Sequence, residues 1–250
     1  MSIQDEVDDD VIERFFLTLR KSLGSQAEKR WRHTMSFHYK HIDFTGRRVL
    51  DIGGGNGIHS FYAHACGAAR VVNLEPEYDG STSGMQDQFH NWKAALGATC
   101  VDIIDTTFQE YSGDGMPFDV ILIQDAINHL DESACISLKE SEASQDVFRR
   151  IFAKLGKLSS SGGVLHIADC SSQNFYPRMR LGNPFDSEIE WRKHQPPSLW
   201  QTMLEEAGYK LERKRWSSPG RFGPAGQALF GNSLAAYFFT SHFAMTLRKI

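Results

Sequence analysis

The stretch VLDIGGGNGIHS, residues 49–60, decides the fold: an apolar strand stops at Gly53, Gly54, Gly55 and Gly57, and a helix follows at once. Such a loop lets a ligand approach the backbone closely. Glycine carries no Cβ and tolerates positive φ, while the start of the helix offers unpaired amide groups. A dinucleotide fingerprint needs GxGxxG, but the glycines here read Gly53-x-Gly55-x-Gly57, with Asp51 two residues ahead of the first. A carboxylate entering the pocket at Asp51 repels a diphosphate and suits a ligand with positive charge near the loop.

Outward from this loop, short apolar runs ending in acidic or small residues alternate with helical stretches, the pattern of βα units feeding a mostly parallel sheet. RVLDIG (48–53), RVVNLE (70–75), TCVDII (99–104), DVILIQD (119–125) and GVLHIAD (163–169) read as five strands, rich in Val, Ile and Leu and covered on both faces. Helical crossovers are expected over 58–66, 85–96 and 144–158, each ended by glycine or serine, and a further helix over 198–207 before Gly208. A sixth strand follows at 209–216. A seventh, 234–248, is expected to be antiparallel because no crossover helix is visible before it. The serine and glycine patch at 159–163 reads as the turn into the fifth strand.

Ahead of the first strand, VIERFFLTLR places apolar residues 11, 12, 15, 16 and 19 on one helical face. This predicts an accessory helix, making residues 1–45 an N-terminal helical cap on one domain spanning 1–250. Two stretches read as long loops, 171–197 with its Asn, Pro, Arg and aromatics, and 217–232 with its Gly and Pro. Ordered loops of that length serve as lids or binding segments, and 171–197 is the expected substrate lid.

An acidic residue followed by GxGxG resembles the first motif of the class I S-adenosylmethionine-dependent methyltransferases, and the resemblance spans about residues 47–210. It implies a Rossmann-like, doubly wound α/β fold whose mostly parallel seven-stranded sheet has the order 3-2-1-4-5-7-6. It also implies S-adenosyl-L-methionine as cofactor, held by Asp51, Gly53, Gly55 and Gly57. Glu75 ends the second strand, 18 residues past Gly57, where either a dinucleotide or a methyltransferase fold places a carboxylate for ribose hydroxyls. Asp105 matches the family position that contacts the adenine amino group; a helix cap is its alternative role. Gln124 and Asp125, ahead of AINHL, look like the region that small-molecule members place near the methionine part. The NPPY or DPPY of the DNA-modifying branch is absent there, which disfavours base methylation.

Methyl transfer from a sulfonium is an in-line displacement, so the protein mainly positions the nucleophile and excludes water. An oxygen or nitrogen nucleophile must also lose a proton. His129, in INHL past the fourth strand, is the leading general base, with loop capping as its alternative. Asp125 and Asp169 end neighbouring strands, at the sheet edge where open α/β proteins bind ligands. Loop capping or substrate hydrogen bonding is expected of them rather than magnesium, because catechol-type relatives add an Asp-Asn pair where this chain has Asp169 before Cys170. Tyr176, Arg178, Trp191 and His194 can grip an anionic or sugar-like acceptor, or they belong to a solvated loop anchored by its aromatics. His33, His38 and His41 lack ligand spacing and read as surface or packing residues, so no metal is expected.

The rest of the composition narrows the class. The 250 residues are 41% hydrophobic and 23% charged, an ordinary globular balance that excludes disorder. With 27 Lys plus Arg against 31 Asp plus Glu, the net charge of −4 argues against a nucleic-acid surface. Apolar runs such as 120–123 and 235–239 are far shorter than the roughly 20 residues of a membrane span. The start MSIQDEVDDD is acidic where a secretory signal is basic and then apolar, so a cytoplasmic protein is expected. Cys66, Cys100, Cys135 and Cys170 contain no CxxC pair and read as free thiols. The expected partner is a small-molecule acceptor; the oligomeric state is not encoded legibly. Two rival functions share the glycine loop. An NAD-linked oxidoreductase must tolerate Asp51 beside a diphosphate, and a non-catalytic nucleoside-binding module would have a blocked methyl channel.

Overall fold

The computed structural model describes residues 3–76, 84–219 and 223–250. Seven strands, β1 (Arg48–Ile52), β2 (Arg70–Leu74), β3 (Val101–Ile104), β4 (Phe118–Gln124), β5 (Ser159–Cys170), β6 (Tyr209–Trp216) and β7 (His242–Lys249), form one sheet. Its order is β3-β2-β1-β4-β5-β7-β6, the doubly wound arrangement expected from the loop motif. The chain divides into two compact units, Met1–Leu122 and Ile123–Ile250, with the boundary inside β4.

In the first unit β1, β2 and β3 run parallel, with Asp51 opposite Asn73 and Val71 opposite Val101. Parallel neighbours need crossovers, and α3 (Ile58–Ala65) and α4 (Met85–Leu96) supply two of them. Their apolar faces meet: the rings of Phe61 and Phe89 lie 4.9 Å apart, and Phe61 stacks on Trp92 at 6.4 Å. Burying each such side chain stabilises the unit by about 1.5–3 kcal/mol. The link from β3 to β4, residues 105–117, contains no helix, and none was expected there. Arg48 braces it, its backbone N–H donating to Asp119 Oδ2 at 3.0 Å and its guanidinium to Asp114.

The N-terminal cap is two helices, α1 (Ile3–Leu23) and α2 (Ser25–Tyr39), rather than one. Gly24, at φ 87° and ψ 167°, adopts a conformation that stops the first and reorients the chain. Phe15 of α1 packs edge-on against Tyr62 at 5.6 Å, and the Tyr39 hydroxyl of α2 lies 2.8 Å from His59 Nδ1.

In the second unit, β7 lies between β5 and β6 and is antiparallel to both. That direction was expected, but its stated reason fails: α9 (Gly223–Phe230) and α10 (Ser233–Phe238) separate β6 from β7. The apolar run placed at the start of the seventh strand is α10, capped by Asn232, whose side chain accepts from Ala235 N–H at 3.0 Å. Ser241, at φ 55°, then turns the chain into β7. The serine patch at 159–163, expected as a turn, already belongs to β5. Ser159 Oγ donates back to Leu155 O at 3.0 Å and lies 2.5 Å from the Tyr209 hydroxyl, fastening the strand's start. Helix α6 (Glu142–Leu158) buries Phe148, Ile151, Phe152 and Leu155, a 3.6-residue stripe, and α8 (Pro197–Glu206) meets it through Trp200, 5.0 Å from Phe148. The remaining helices are α5 (Glu132–Ser137) and the short α7 (Phe175–Arg178).

Candidate active site

The glycine loop closes on itself through the residues beneath it. Asp51, at the end of β1, is wholly buried, and its Oδ2 accepts from Ser60 Oγ of α3 at 2.7 Å. Across the sheet Asn73 is equally buried; among the described residues Asp51 Oδ1 and both polar atoms of the Asn73 amide have no hydrogen-bond partner. Burial pushes the Asp51 carboxyl up to about 7; Ser60 opposes the shift and the nearby Glu75 carboxylate adds to it. Asp51 therefore lies under the loop rather than at its mouth, and the selection anticipated for its charge takes a different form. It shapes the cradle.

Glu75 faces the loop directly. Its Oε2 accepts from Gly55 N–H at 2.9 Å, tying the tip of β2 to the glycine turn. Burial holds its carboxyl above the usual range, against the lowering effect of that hydrogen bond. A methyl group added at Gly54 would meet Asn73 Nδ2 at 2.6 Å and Asp51 Oδ2 at 2.7 Å, so the loop's inner side has no room for a side chain. At Gly55, φ 55°, an added Cβ would meet, among the described residues, Met85 Sδ at 3.9 Å, an ordinary van der Waals contact. Gly53 and Gly57 also have positive φ. Asp105, just past β3, is exposed. A half-buried carboxylate beside a side-chain-free amide turn is a donor set that fits the ribose and main body of a nucleoside, so these residues fit S-adenosylmethionine.

The second unit gathers a different set. Gln124 is buried at the end of β4, and Asp125 follows with φ 51°, a left-handed backbone unusual for a residue with a side chain. Its N–H donates to Ala168 O at 2.9 Å. Asp125 is exposed. Loss of hydration raises its carboxyl above the usual range, and the Asp169 carboxylate raises it further; His242, His194 and His129 pull the other way. Asp169, 1% exposed, accepts through Oδ1 from Cys170 N–H at 2.7 Å and lies 3.0 Å from His194 Nδ1. Its Oδ2 is buried and has no partner among the described residues. Asp125 thus feels the charge of Asp169 and of His242, His194 and His129, which spacing did not link to it.

The other predicted residues scatter. His129 is 54% exposed, its Nδ1 2.6 Å from Glu132 Oε1. Tyr176 packs against Phe175 and Phe185, with ring centres 5.4 and 6.3 Å away. Arg178 is exposed on the rim of an open cavity of about 680 Å³, lined also by Ser172, Gln173, Asn174, Pro177 and Tyr237. Trp191 is half-buried, joined to His194 only through the backbone, His194 N–H donating to Trp191 O at 3.3 Å. Sequence reasoning missed Ser60, Asn73 and His242. Asn73 alone carried a signal, a polar residue inside the apolar run RVVNLE.

Segment 171–197 is tethered at both ends. Asn174 and Asn183 donate to Phe239 O at 2.8 and 2.7 Å, and Gln195 Nε2 donates to Cys135 O at 2.6 Å. Among the described residues, no group of three or more His, Cys, Asp or Glu is arranged to hold a metal ion, and no helix is long and apolar enough to cross a membrane.

Comparison with known proteins follows the same line. A family profile described as a methyltransferase domain matches residues 23–214. Over 57 residues the chain is 33% identical to a tRNA U34 carboxymethyltransferase of Ectopseudomonas mendocina (strain ymp); that stretch is 22% of this chain and 18% of the relative. Among solved structures, a protein of Listeria monocytogenes classed as an S-adenosylmethionine-dependent methyltransferase superposes with a TM-score of 0.60 at 15% identity, covering 90% of this chain and 99% of that one. An S-adenosylmethionine-dependent methyltransferase of Mesorhizobium loti gives 0.57 at 16% identity, covering 83% and 93%. At such identities the structural likeness carries the fold alone. The family match spans most of the chain, and it agrees with the strand order and the glycine loop: the chain belongs to the methyltransferase-domain family of the class I S-adenosylmethionine-dependent methyltransferases.

Proposed function

We propose that this protein transfers the methyl group of S-adenosylmethionine to an oxygen or nitrogen atom of a small molecule. The observation that carries the reading is the hydrogen bond from Gly55 N–H to Glu75 Oε2 at a glycine turn where, among the described residues, an added Cβ would make no close contact. When bound, the cofactor supplies an electrophilic methyl group on a positively charged sulfur. The chain's residues do the rest. Glu75 would accept ribose hydroxyls, Asp105 would contact the adenine amino group, and the Gly53 to Gly57 backbone would line the nucleoside, with Asp51 and Ser60 holding the turn from below. Gln124 and Asp125 would bound the methionine part. Asp169, Tyr176, Arg178, Trp191 and His194 would form the acceptor side, and the exposed part of 171–197 would shield it from water.

The electrostatics favour this reading over a nicotinamide dinucleotide. The Glu75 carboxylate, held against the loop by Gly55 N–H, disfavours a diphosphate and tolerates a cationic donor. Calorimetry with S-adenosylhomocysteine and with NADH tests the choice: the expected result is binding of the first and none of the second. Binding of NADH alone would make the protein an oxidoreductase candidate. Incubation with methyl-labelled S-adenosylmethionine and a panel of phenols, amines and carboxylates then tests transfer. Labelled product is expected; cofactor binding with no label on any member of the panel would favour a non-catalytic nucleoside-binding module.

A further inference from the structure

His129 and His194, both in the second unit, differ in exposure, and their carboxylate partners differ in kind. His129 and Glu132 are 54% and 43% exposed, so water and salt screen their interaction. His194 is 15% exposed, and its partner Asp169 is 1% exposed. In that poorly hydrated setting a charge-assisted hydrogen bond is strong and directional. An ionised carboxylate has only acceptor atoms to offer, so a neutral His194 paired with it is the tautomer with Nδ1–H toward Asp169 Oδ1 and Nε2 as the acceptor nitrogen.

The backbone around His194 is fixed as well. Cys135 Sγ donates to Lys193 O at 3.1 Å, Gln195 Nε2 donates to Cys135 O at 2.6 Å, and Pro196 and Pro197 are buried behind them. Lys193 Nζ lies 2.9 Å from Glu190 and 3.2 Å from Glu132, fastening the preceding residue. Asp169 is held in turn by Cys170 N–H. An imidazole with one nitrogen committed to a buried carboxylate, on a pinned backbone, is ready to take a proton without reorganising.

We infer that His194 is the proton acceptor for the incoming nucleophile, and that Asp169 is its positioning residue. The inference rests on the methyl-transfer reading above. As the acceptor's oxygen or nitrogen bonds to the methyl carbon, the carbon–sulfur bond breaks with its electron pair left on sulfur. The proton on the acceptor atom passes to His194 Nε2, and the buried Asp169 carboxylate offsets the charge of the imidazolium that forms. Asp125 also interacts electrostatically with Asp169 and His194.

Two measurements test this. The first needs no cofactor: ¹⁵N spectra of histidine-labelled protein should show neutral His194 as the Nδ1–H tautomer, the less common form of a free imidazole. The Nε2–H tautomer at His194 would overturn the assignment. The second reads label transfer to the phenol and amine panel. His194→Ala should lower kcat about 100- to 1,000-fold with S-adenosylhomocysteine affinity kept, and Asp169→Asn about 10- to 100-fold. Added imidazole should restore part of the activity of His194→Ala, which a purely structural histidine would not allow. Undiminished kcat in His194→Ala, or a loss that imidazole leaves untouched while His194→Gln retains full activity, would overturn the inference. Absence of cofactor binding in the wild type would instead remove the reading on which it rests.

Discussion

The glycine loop of the first unit and the acid and histidine cluster of the second are built in opposite ways. In the loop, the residues that matter lie within 49–60 plus Asn73 and Glu75 one strand away, and most of the work is done by absent side chains. In the cluster, Asp125, Asp169, His194 and His242 come from four separate places in the chain, and all of the work is done by side chains. A site made from backbone tolerates no added bulk. A site made from charges tolerates bulk better but depends on which groups are hydrated.

The largest effect should follow from breaking the first kind of site. Gly55→Val adds a Cβ that, among the described residues, has Met85 Sδ at 3.9 Å as its near neighbour, so it invades no described part of the core. The residue must still hold φ near 55°, at a cost of about 1–2 kcal/mol. S-adenosylhomocysteine affinity should fall by about three orders of magnitude, roughly 4 kcal/mol, as read by calorimetry. Unchanged affinity would place the nucleoside elsewhere. Gly57→Val makes a useful contrast, because its Cβ would come within 2.8 Å of Phe89 Cε2 and the protein itself should lose stability.

The same contrast explains what the sequence made legible. Strands β1, β2, β4 and β6 read clearly because apolar runs and turn residues are local signals, and strand order followed from one motif. The residues 234–238 misled because an apolar run of that length suits a strand or a short helix, and only the Asn232 cap decides for α10. The serine patch misled because serine favours turns unless neighbours such as Tyr209 occupy its hydroxyl. Glu75 was legible as a strand-end carboxylate. The pairing of His194 with Asp169 was not, since nothing in a spacing of 25 residues says that a histidine in a loop will fold onto a buried carboxylate at the end of β5.

A smaller and pH-dependent effect should come from beneath the loop. An acid whose folded pKa is raised, as at Asp51, binds its proton more tightly in the folded state. Its contribution to stability is therefore fully present below the unfolded value near 4 and is lost as pH rises to about 7. Asp51→Asn removes that titration while leaving an oxygen for Ser60 Oγ to donate to. The difference in unfolding free energy between variant and wild type, followed through Tm, should shift in the variant's favour between pH 4 and pH 7 by an amount on the order of 3 kcal/mol. Parallel Tm curves across that range would mean that Asp51 is ionised in the folded protein throughout.

The smallest effect belongs to the other histidine, and it sharpens the comparison most. His129 and Glu132 sit in water, three residues apart, where an ion pair is worth at most about 1 kcal/mol. Glu132 also has Lys193 Nζ at 3.2 Å, so removing the imidazole leaves its carboxylate with a partner. His129→Ala should reduce label transfer by no more than about fivefold and lower stability by less than 1 kcal/mol, with the deficit shrinking as salt is raised. A loss as large as that expected for His194→Ala would reverse the ranking of the two histidines. Exposure, which argues here for a peripheral role, would then have to reflect a surface that becomes enclosed only when the acceptor binds.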